Sequence, residues 1–98
     1  MQQGEQRNGK PVVKISLTPK FEDLFRKLPA QVQKQADRAF EHLENNPRYP
    51  SLRLKCVDPQ ESRYSIRIND KYRALGLLQG DEITLDWIGP HGKYDHLI

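Results

Sequence analysis

The chain contains the stretch Tyr64-Ser65-Ile66-Arg67-Ile68-Asn69-Asp70-Lys71-Tyr72-Arg73, whose residue pattern indicates two strands and the turn between them. Apolar and polar side chains alternate over residues 64–68, which predicts a strand with one face in the core. The polar segment Asn69-Asp70-Lys71 predicts a tight turn, so the chain should return as an antiparallel strand. Across that turn Arg67 and Arg73 come nearly opposite each other, with their Cβ atoms roughly 5 Å apart.

Two arginines at this separation repel each other unless an anion lies between them. The planar guanidinium group suits an anion of this kind, because it binds phosphate through two parallel hydrogen bonds. The pattern therefore favours a phosphate site at Arg67 and Arg73. The alternative is that one of the two arginines pairs with Asp70 or Asp86 and has a structural role only.

The residues before this stretch predict one strand and two helices. Residues 12–17 are rich in β-branched side chains, as in a strand. Thr18 can cap a following helix that has Pro19 at its first position. Apolar residues at i, i+3, i+4 and i+7 give that helix one stripe: Phe21, Leu24, Phe25 and Leu28. Pro29 begins a second helix, and Asn45-Asn46-Pro47 ends it.

The remaining segments complete an α+β fold. Alternating residues at 52–56 predict a strand before residues 64–68, and apolar runs at 72–78 and 83–88 predict two more after it. The predicted order is an N-terminal strand, an αα-hairpin and a four-strand antiparallel meander packed on the helices. A short helical tail is expected at the C-terminus.

Composition places the chain among ordinary globular domains. Its 98 residues, 36% hydrophobic and 30% charged, suit a single domain over residues 11–98, behind a flexible arm at residues 1–10. No apolar run approaches the ~20 residues of a membrane span. The lone Cys56 excludes an internal disulfide and is expected to be a small buried residue, so a cytoplasmic location is the default expectation.

The net charge of +3 is unevenly distributed. Between Arg53 and Arg73 three acids accompany six cations: Arg53, Lys55, Arg63, Arg67, Lys71 and Arg73. A basic segment on a balanced scaffold indicates a polyanionic partner such as nucleic acid. The alternatives are a solvated face that keeps the protein soluble, and a face that binds an acidic protein segment.

A second group of polar residues follows the last predicted strand, in Ile88-Gly89-Pro90-His91-Gly92-Lys93-Tyr94-Asp95-His96. His91 can exchange a proton at neutral pH, because a histidine has an ordinary pKa near 6.5. Tyr94 would lie beside it if the tail is helical. The plain alternative is an exposed histidine without a role. Trp87 is expected in the core, in phase with Ile83 and Leu85, rather than as a base-stacking platform.

Together these groups resemble what metal-free RNA cleavage requires. The reaction needs stabilised charge on the phosphorus, a proton for the leaving oxygen and a base for the 2′-hydroxyl. Arg67 and Arg73 could meet the first need, and His91 the second. The base stays open among Glu61, Tyr94 and Asp95. No standard metal-ligand spacing is present, so neither a metal nor a cofactor is expected.

With these residues in view, residues 12–98 resemble the RelE/ParE toxin superfamily of bacterial type II toxin–antitoxin modules. The shared landmarks, in order, are Phe21–Pro29, Asn46–Leu52, Tyr64–Arg73 and Ile88–Asp95. The resemblance implies a RelE-like fold and a ribosome-dependent endoribonuclease that cuts mRNA in the ribosomal A site. It also implies a cognate antitoxin as the protein partner.

The resemblance assigns roles to individual positions. Arg73 would stabilise the transition state, Arg67 would position the scissile phosphate, His91 would be the general acid, and Tyr94 would orient the substrate. The remaining cations would hold the RNA: Arg53, Lys55, Arg63, Lys71 and Lys93.

Two departures and two alternatives accompany the resemblance. Gly76 replaces a bulky residue of many relatives, which indicates a bulge or a close backbone approach, and Ser65 replaces a lysine. The ParE branch inhibits DNA gyrase and generally lacks the catalytic set, so a gyrase inhibitor is one alternative. A catalytically inactive interaction module of the same fold is the other.

Overall fold

The structure, a computed structural model, describes residues 12–94. The predicted arm at residues 1–10 lies outside the described residues, as do Asp95 and His96. The elements are β1 (Lys14–Leu17), α1 (Pro19–Arg26), α2 (Ala30–Asn45), β2 (Lys55–Asp58), β3 (Arg63–Arg67), β4 (Tyr72–Gln79), β5 (Glu82–Pro90) and α3 (His91–Tyr94). They form a five-stranded sheet in the order β1-β5-β4-β3-β2, in which β1 is parallel to β5 and the other pairs are antiparallel. The predicted α+β architecture is confirmed.

Helices α1 and α2 begin where the sequence predicts and α2 ends as predicted, whereas α1 ends at Arg26, so Leu28 of its predicted stripe lies just beyond the helix. The Thr18 hydroxyl accepts a hydrogen bond from the Phe21 N–H at 3.1 Å, with Pro19 at the first position of α1. Pro29 precedes α2, and Asn46 leaves the helical conformation after it. One face of α2 is buried through Val32, Ala36, Ala39 and Leu43. The main core forms where this face and Phe21 meet the sheet residues Ile66, Ala74, Leu85 and Ile88. No helix among residues 12–94 is long and apolar enough to cross a membrane.

A β-bulge in β5 changes which side chains share a face of the sheet. Gly76 pairs with Leu85, whereas Leu75 pairs with Trp87, so β5 carries one extra residue, Asp86. The extra residue moves Trp87 out of phase with Leu85. Trp87 is buried at 8% exposure as expected, but it packs with Leu75 in a separate cluster, so the predicted phase is wrong.

Gly76 lies at this bulge, as its departure from the family pattern indicated. A Cβ atom at this position would lie 2.8 Å from the Thr84 carbonyl oxygen. The strands therefore approach each other more closely than any residue with a side chain allows.

Two predictions about the segment before β3 are corrected. The strand expected over residues 52–56 begins only at Lys55, because a 3-10 turn at Pro50–Leu52 precedes it and Arg53 adopts the left-handed conformation, with φ 44°. Cys56 is exposed, not buried, because β2 is the edge strand of the sheet.

Candidate functional site

Arg67 and Arg73 lie directly opposite each other on β3 and β4, as the short turn predicted. The turn is closed by the N–H groups of Ile68 and Asn69, which both donate to the Tyr72 carbonyl. The Asn69 side-chain oxygen accepts the N–H of Lys71 at 2.8 Å and that of Tyr72 at 2.9 Å. The arginines therefore stand on a turn with a fixed backbone.

Arg73 is held against that turn. Its guanidinium donates to the carbonyl oxygen of Asn69 at 2.5 Å and to that of Tyr72 at 2.9 Å. The side chain is half-buried, so its charge is only partly screened by water. These contacts fix the position of the charge before any ligand binds.

Arg67 has an acidic partner, which was one of the alternatives the sequence left open. Its guanidinium donates to Asp70 at 2.6 Å, and the Asp70 side chain is 92% exposed. This hydrogen bond and the charge of Arg67 lower the pKa of Asp70 below its ordinary value of 3.8, and Arg53 and Arg73 lower it further. We call Arg53, Arg67 and Arg73 the arginine cluster, with Asp70 as its exposed counter-ion.

His91 lies at the same end of the sheet. It opens α3 directly after β5, and its N–H donates to the Lys71 carbonyl at 2.6 Å. Because Arg73 pairs with Gly89, His91 follows only two residues beyond the partner of Arg73. Its side chain is exposed. Tyr94 is the last residue of α3, and its side chain lies outside the described part of the chain.

The predicted RNA-binding cations fall into two groups. Four of them are exposed: Arg53, Lys55, Lys71 and Lys93. Arg63 differs, because its guanidinium donates two hydrogen bonds to Asp86, each 3.1 Å long, and both side chains are half-buried. This pair competes with the predicted RNA contact of Arg63.

The two ends of β3 are well separated. Arg63 begins the strand and Arg67 ends it, a distance of about 13 Å. Glu61, a candidate base, precedes Arg63 and so lies beyond the far end of the strand from the arginine cluster. Glu61 therefore cannot reach a phosphate held at Arg67.

A groove beside the arginine cluster was not foreseen from the sequence. Arg67 lines it together with α2 residues and Tyr49, whose ring stacks on His42. A polar row at helical spacing in α2, Gln35, Arg38 and His42, is the signal that could have indicated it. Within residues 12–94, no three His, Cys, Asp or Glu side chains are placed to hold a metal ion.

Comparison with known proteins gives one family and several structures. Residues 30–96 match a family model described as a ParE-like toxin domain. No curated protein sequence matches the chain.

Solved structures share the fold. A chain of the RelE–RelB complex from the archaeon Pyrococcus horikoshii is 15% identical, with a TM-score of 0.69, and the match covers 84% of this chain and 98% of that one. A chain of the RelBE2 toxin–antitoxin complex from Mycobacterium tuberculosis is 17% identical, with a TM-score of 0.66 and coverages of 86% and 95%. The YoeB/ParE toxin from Agrobacterium tumefaciens is 13% identical, with a TM-score of 0.64 and coverages of 81% and 99%.

Proposed function

The chain belongs to the family of ParE-like toxin domains, within the RelE/ParE toxin superfamily, and we propose that it is a ribosome-dependent endoribonuclease of a type II toxin–antitoxin pair. The placement of Arg67 opposite Arg73, with His91 at the same end of the sheet, carries this proposal. Its substrate is mRNA in the ribosomal A site. Its protein partner is a cognate antitoxin, as in the RelE–RelB complexes that share its fold.

The cluster supplies charge where the reaction develops it. Attack of a ribose 2′-oxygen on the adjacent phosphorus forms the O2′–P bond and breaks the P–O5′ bond, leaving a 2′,3′-cyclic phosphate and a 5′-hydroxyl. Negative charge accumulates on the phosphate oxygens during this step, and Arg67 and Arg73 stabilise it. The scissile phosphate replaces Asp70 as the partner of Arg67, because a fully exposed carboxylate gives way readily.

Proton transfer completes the step. His91, protonated, donates a proton to the departing 5′-oxygen and is the general acid. The proton of the 2′-hydroxyl passes to a base. Asp70 is poorly suited to that role because its lowered pKa makes it a weak proton acceptor. Tyr94 and Asp95 therefore stay as the candidates for the base.

The test is cleavage of mRNA on programmed ribosomes by the purified protein. We expect His91→Ala and Arg73→Ala each to slow cleavage by about 10² or more. Lys20→Ala, which removes an exposed cation at the start of α1, serves as the matched control and should cut like wild type. Equal cutting by both site variants and wild type would refute the residue assignment. Growth arrest with intact mRNA would refute the activity.

Inhibition of DNA gyrase is the second candidate function, favoured by the ParE-like description of the matching family model. A gyrase inhibitor needs no proton donor, so His91→Ala would leave it active. A supercoiling assay with purified gyrase separates the two functions, since only the ParE-like function lowers supercoiling while mRNA stays intact. A catalytically inactive interaction module, the third alternative, predicts that overproduction is harmless.

A further inference from the structure

A groove runs along α2 and ends at the arginine cluster. Gln35, Arg38 and His42 line it from α2, Tyr49 and Ser51 from the loop after α2, and Arg67 from β3. The three helix residues are spaced by three and four positions, so they share one face of α2. Arg67 belongs both to this groove and to the arginine cluster. We call this surface the Tyr49 groove.

An ordered aromatic ring forms one wall of the Tyr49 groove. The rings of His42 and Tyr49 stack with centroids 3.9 Å apart and an interplanar angle of 5°. The backbone of Tyr49 is also held, because its N–H donates to the Asn46 carbonyl and its carbonyl accepts the N–H of Leu52. Tyr49 is nevertheless 38% exposed. A fixed, exposed ring of this kind can stack on a base at little cost in conformational entropy.

The charged side chains that line the grooves around this ring are positive, and one of them, Arg67, pairs with the exposed Asp70. Arg38 and Arg67 line the groove, and a neighbouring groove that shares Tyr49 is lined by Arg48 and Arg53. Neither lining contains an acidic residue among the described part of the chain. The adjoining pocket along α2, which Arg38 also lines, differs because acids accompany the cations there: Asp37, Glu41 and Glu44. The lining of the Tyr49 groove therefore attracts a polyanion more strongly than the lining of that pocket does.

We propose that the Tyr49 groove binds one nucleotide of single-stranded RNA, next to the scissile phosphate on the same strand. The base stacks on Tyr49 and the phosphate pairs with Arg38. Arg67 connects the two places, since it lines the groove and also belongs to the arginine cluster. The same-strand assignment rests on the proposed ribonuclease function, whereas binding in the groove is measured independently of it.

The first experiment measures binding of a short 2′-O-methyl oligoribonucleotide, which cannot be cleaved, carrying 2-aminopurine at each position in turn. Stacking on Tyr49 should quench the fluorescence of one position. We expect Tyr49→Ala to abolish that quenching and to weaken binding at least about five-fold. Tyr49→Phe keeps the ring and should bind like wild type. Unchanged quenching in Tyr49→Ala would overturn the proposal, and thermal unfolding checks that both variants are folded.

The second experiment compares two cations of α2. Arg38→Gln should reduce the slope of log affinity against log salt by about 0.7, the value for one lost phosphate contact on a single strand. Lys34→Gln removes the same charge one turn earlier in α2, at a residue that lines the neighbouring acidic pocket but not the Tyr49 groove, and should leave the slope unchanged. Equal losses in the two variants would show diffuse attraction and overturn the groove. Tyr49-dependent binding of an oligoglutamate peptide in place of RNA would also overturn it.

The third experiment tests the strand assignment on programmed ribosomes. Tyr49→Ala should change the nucleotide preference beside the cut, because one base loses its stacking partner. A uniform slowing at every codon would place the bound nucleotide outside the substrate strand and overturn that assignment. Wild type that binds RNA through Tyr49 but never cleaves it would refute the proposed function alone. Wild type that cleaves, with RNA binding indifferent to Tyr49, would refute the groove alone.

Discussion

Strand β3 carries two arginine–carboxylate pairs that differ in how far the carboxylate is buried. At its start, Arg63 makes two hydrogen bonds to Asp86, and the side chains are 23% and 27% exposed. At its end, Arg67 makes one hydrogen bond to Asp70, and the side chains are 22% and 92% exposed. The two arginines are almost equally buried, so the position of the carboxylate distinguishes the pairs.

This difference indicates that Arg63 has a structural role and that Arg67 can exchange its partner for another anion. Removing one member of a half-buried, bidentate pair leaves the other charge poorly solvated, so the Arg63 pair resists exchange. An exposed partner contributes little to stability and leaves without a desolvation cost. Arg67 is thus held by an exposed carboxylate that a phosphate can replace, whereas Arg63 stays hydrogen-bonded to Asp86 within the fold.

The largest expected effect separates the two arginines by activity. Arg67→Ala should lower ribosome-dependent cleavage about 10²- to 10³-fold, because a preorganised charge at the transition state is lost. Arg63→Ala should stay within about three-fold of wild type, since its side chain is already occupied by Asp86. Cleavage rates at saturating protein measure both. An equal loss in the two variants would remove the distinction between the pairs and restore Arg63 as an RNA contact.

Stability should show the opposite order. Arg63→Ala should lower the free energy of unfolding by about 1–3 kcal/mol, because Asp86 stays half-buried without its partner. The double variant Arg63→Ala/Asp86→Ala should recover part of that loss, and denaturant unfolding gives the coupling energy. The matched cycle at Arg67 and Asp70 should show a clearly smaller coupling energy, because Asp70 is exposed. Comparable coupling energies in both cycles would show that burial of the carboxylate does not distinguish the two pairs.

The bulge in β5 accounts for the Arg63 pair, since it places Asp86 as the extra residue. Gly76→Ala puts a methyl group 2.8 Å from the Thr84 carbonyl oxygen, so the strands must shift. We expect a loss of about 1–2 kcal/mol in the free energy of unfolding, as for other overpacked sites. Gly80→Ala is the comparison in the next turn, where space is open but φ is 62°. Wild-type stability in Gly76→Ala would show that the bulge relaxes freely.

The smallest effect concerns the exposed pair. Asp70→Asn removes the competing anion from the arginine cluster, so RNA affinity at low salt should rise about two- to five-fold. The pKa of Asp70 is lowered on folding, so the pair stabilises the fold above pH 3.8 and loses this contribution as the pH falls through the lower folded value. Acid unfolding of wild type and Asp70→Asn should therefore converge only below pH 3.8. Weaker RNA binding by Asp70→Asn would show that Asp70 positions Arg67 for catalysis.

Local patterns in the sequence predicted where the helices begin and that Arg67 lies opposite Arg73. Thr18 and Pro19 define the start of α1 through a hydrogen bond that spans three residues, and the four-residue turn after β3 leaves one register in which Arg67 meets Arg73. These features depend on neighbours in the chain, so periodicity and turn chemistry predict them. Membership of the superfamily followed from the same motifs in order.

Contacts between residues of different elements could not be predicted from local sequence patterns and depend on the tertiary structure. The bulge at Gly76 moved Trp87 to a second cluster and placed Asp86 near Arg63, and the loop after α2 brought Tyr49 onto His42. Each of these contacts joins residues from elements that meet only through packing. A residue pattern specifies which side chains a strand buries, whereas the choice among several possible partners depends on how the elements pack in three dimensions.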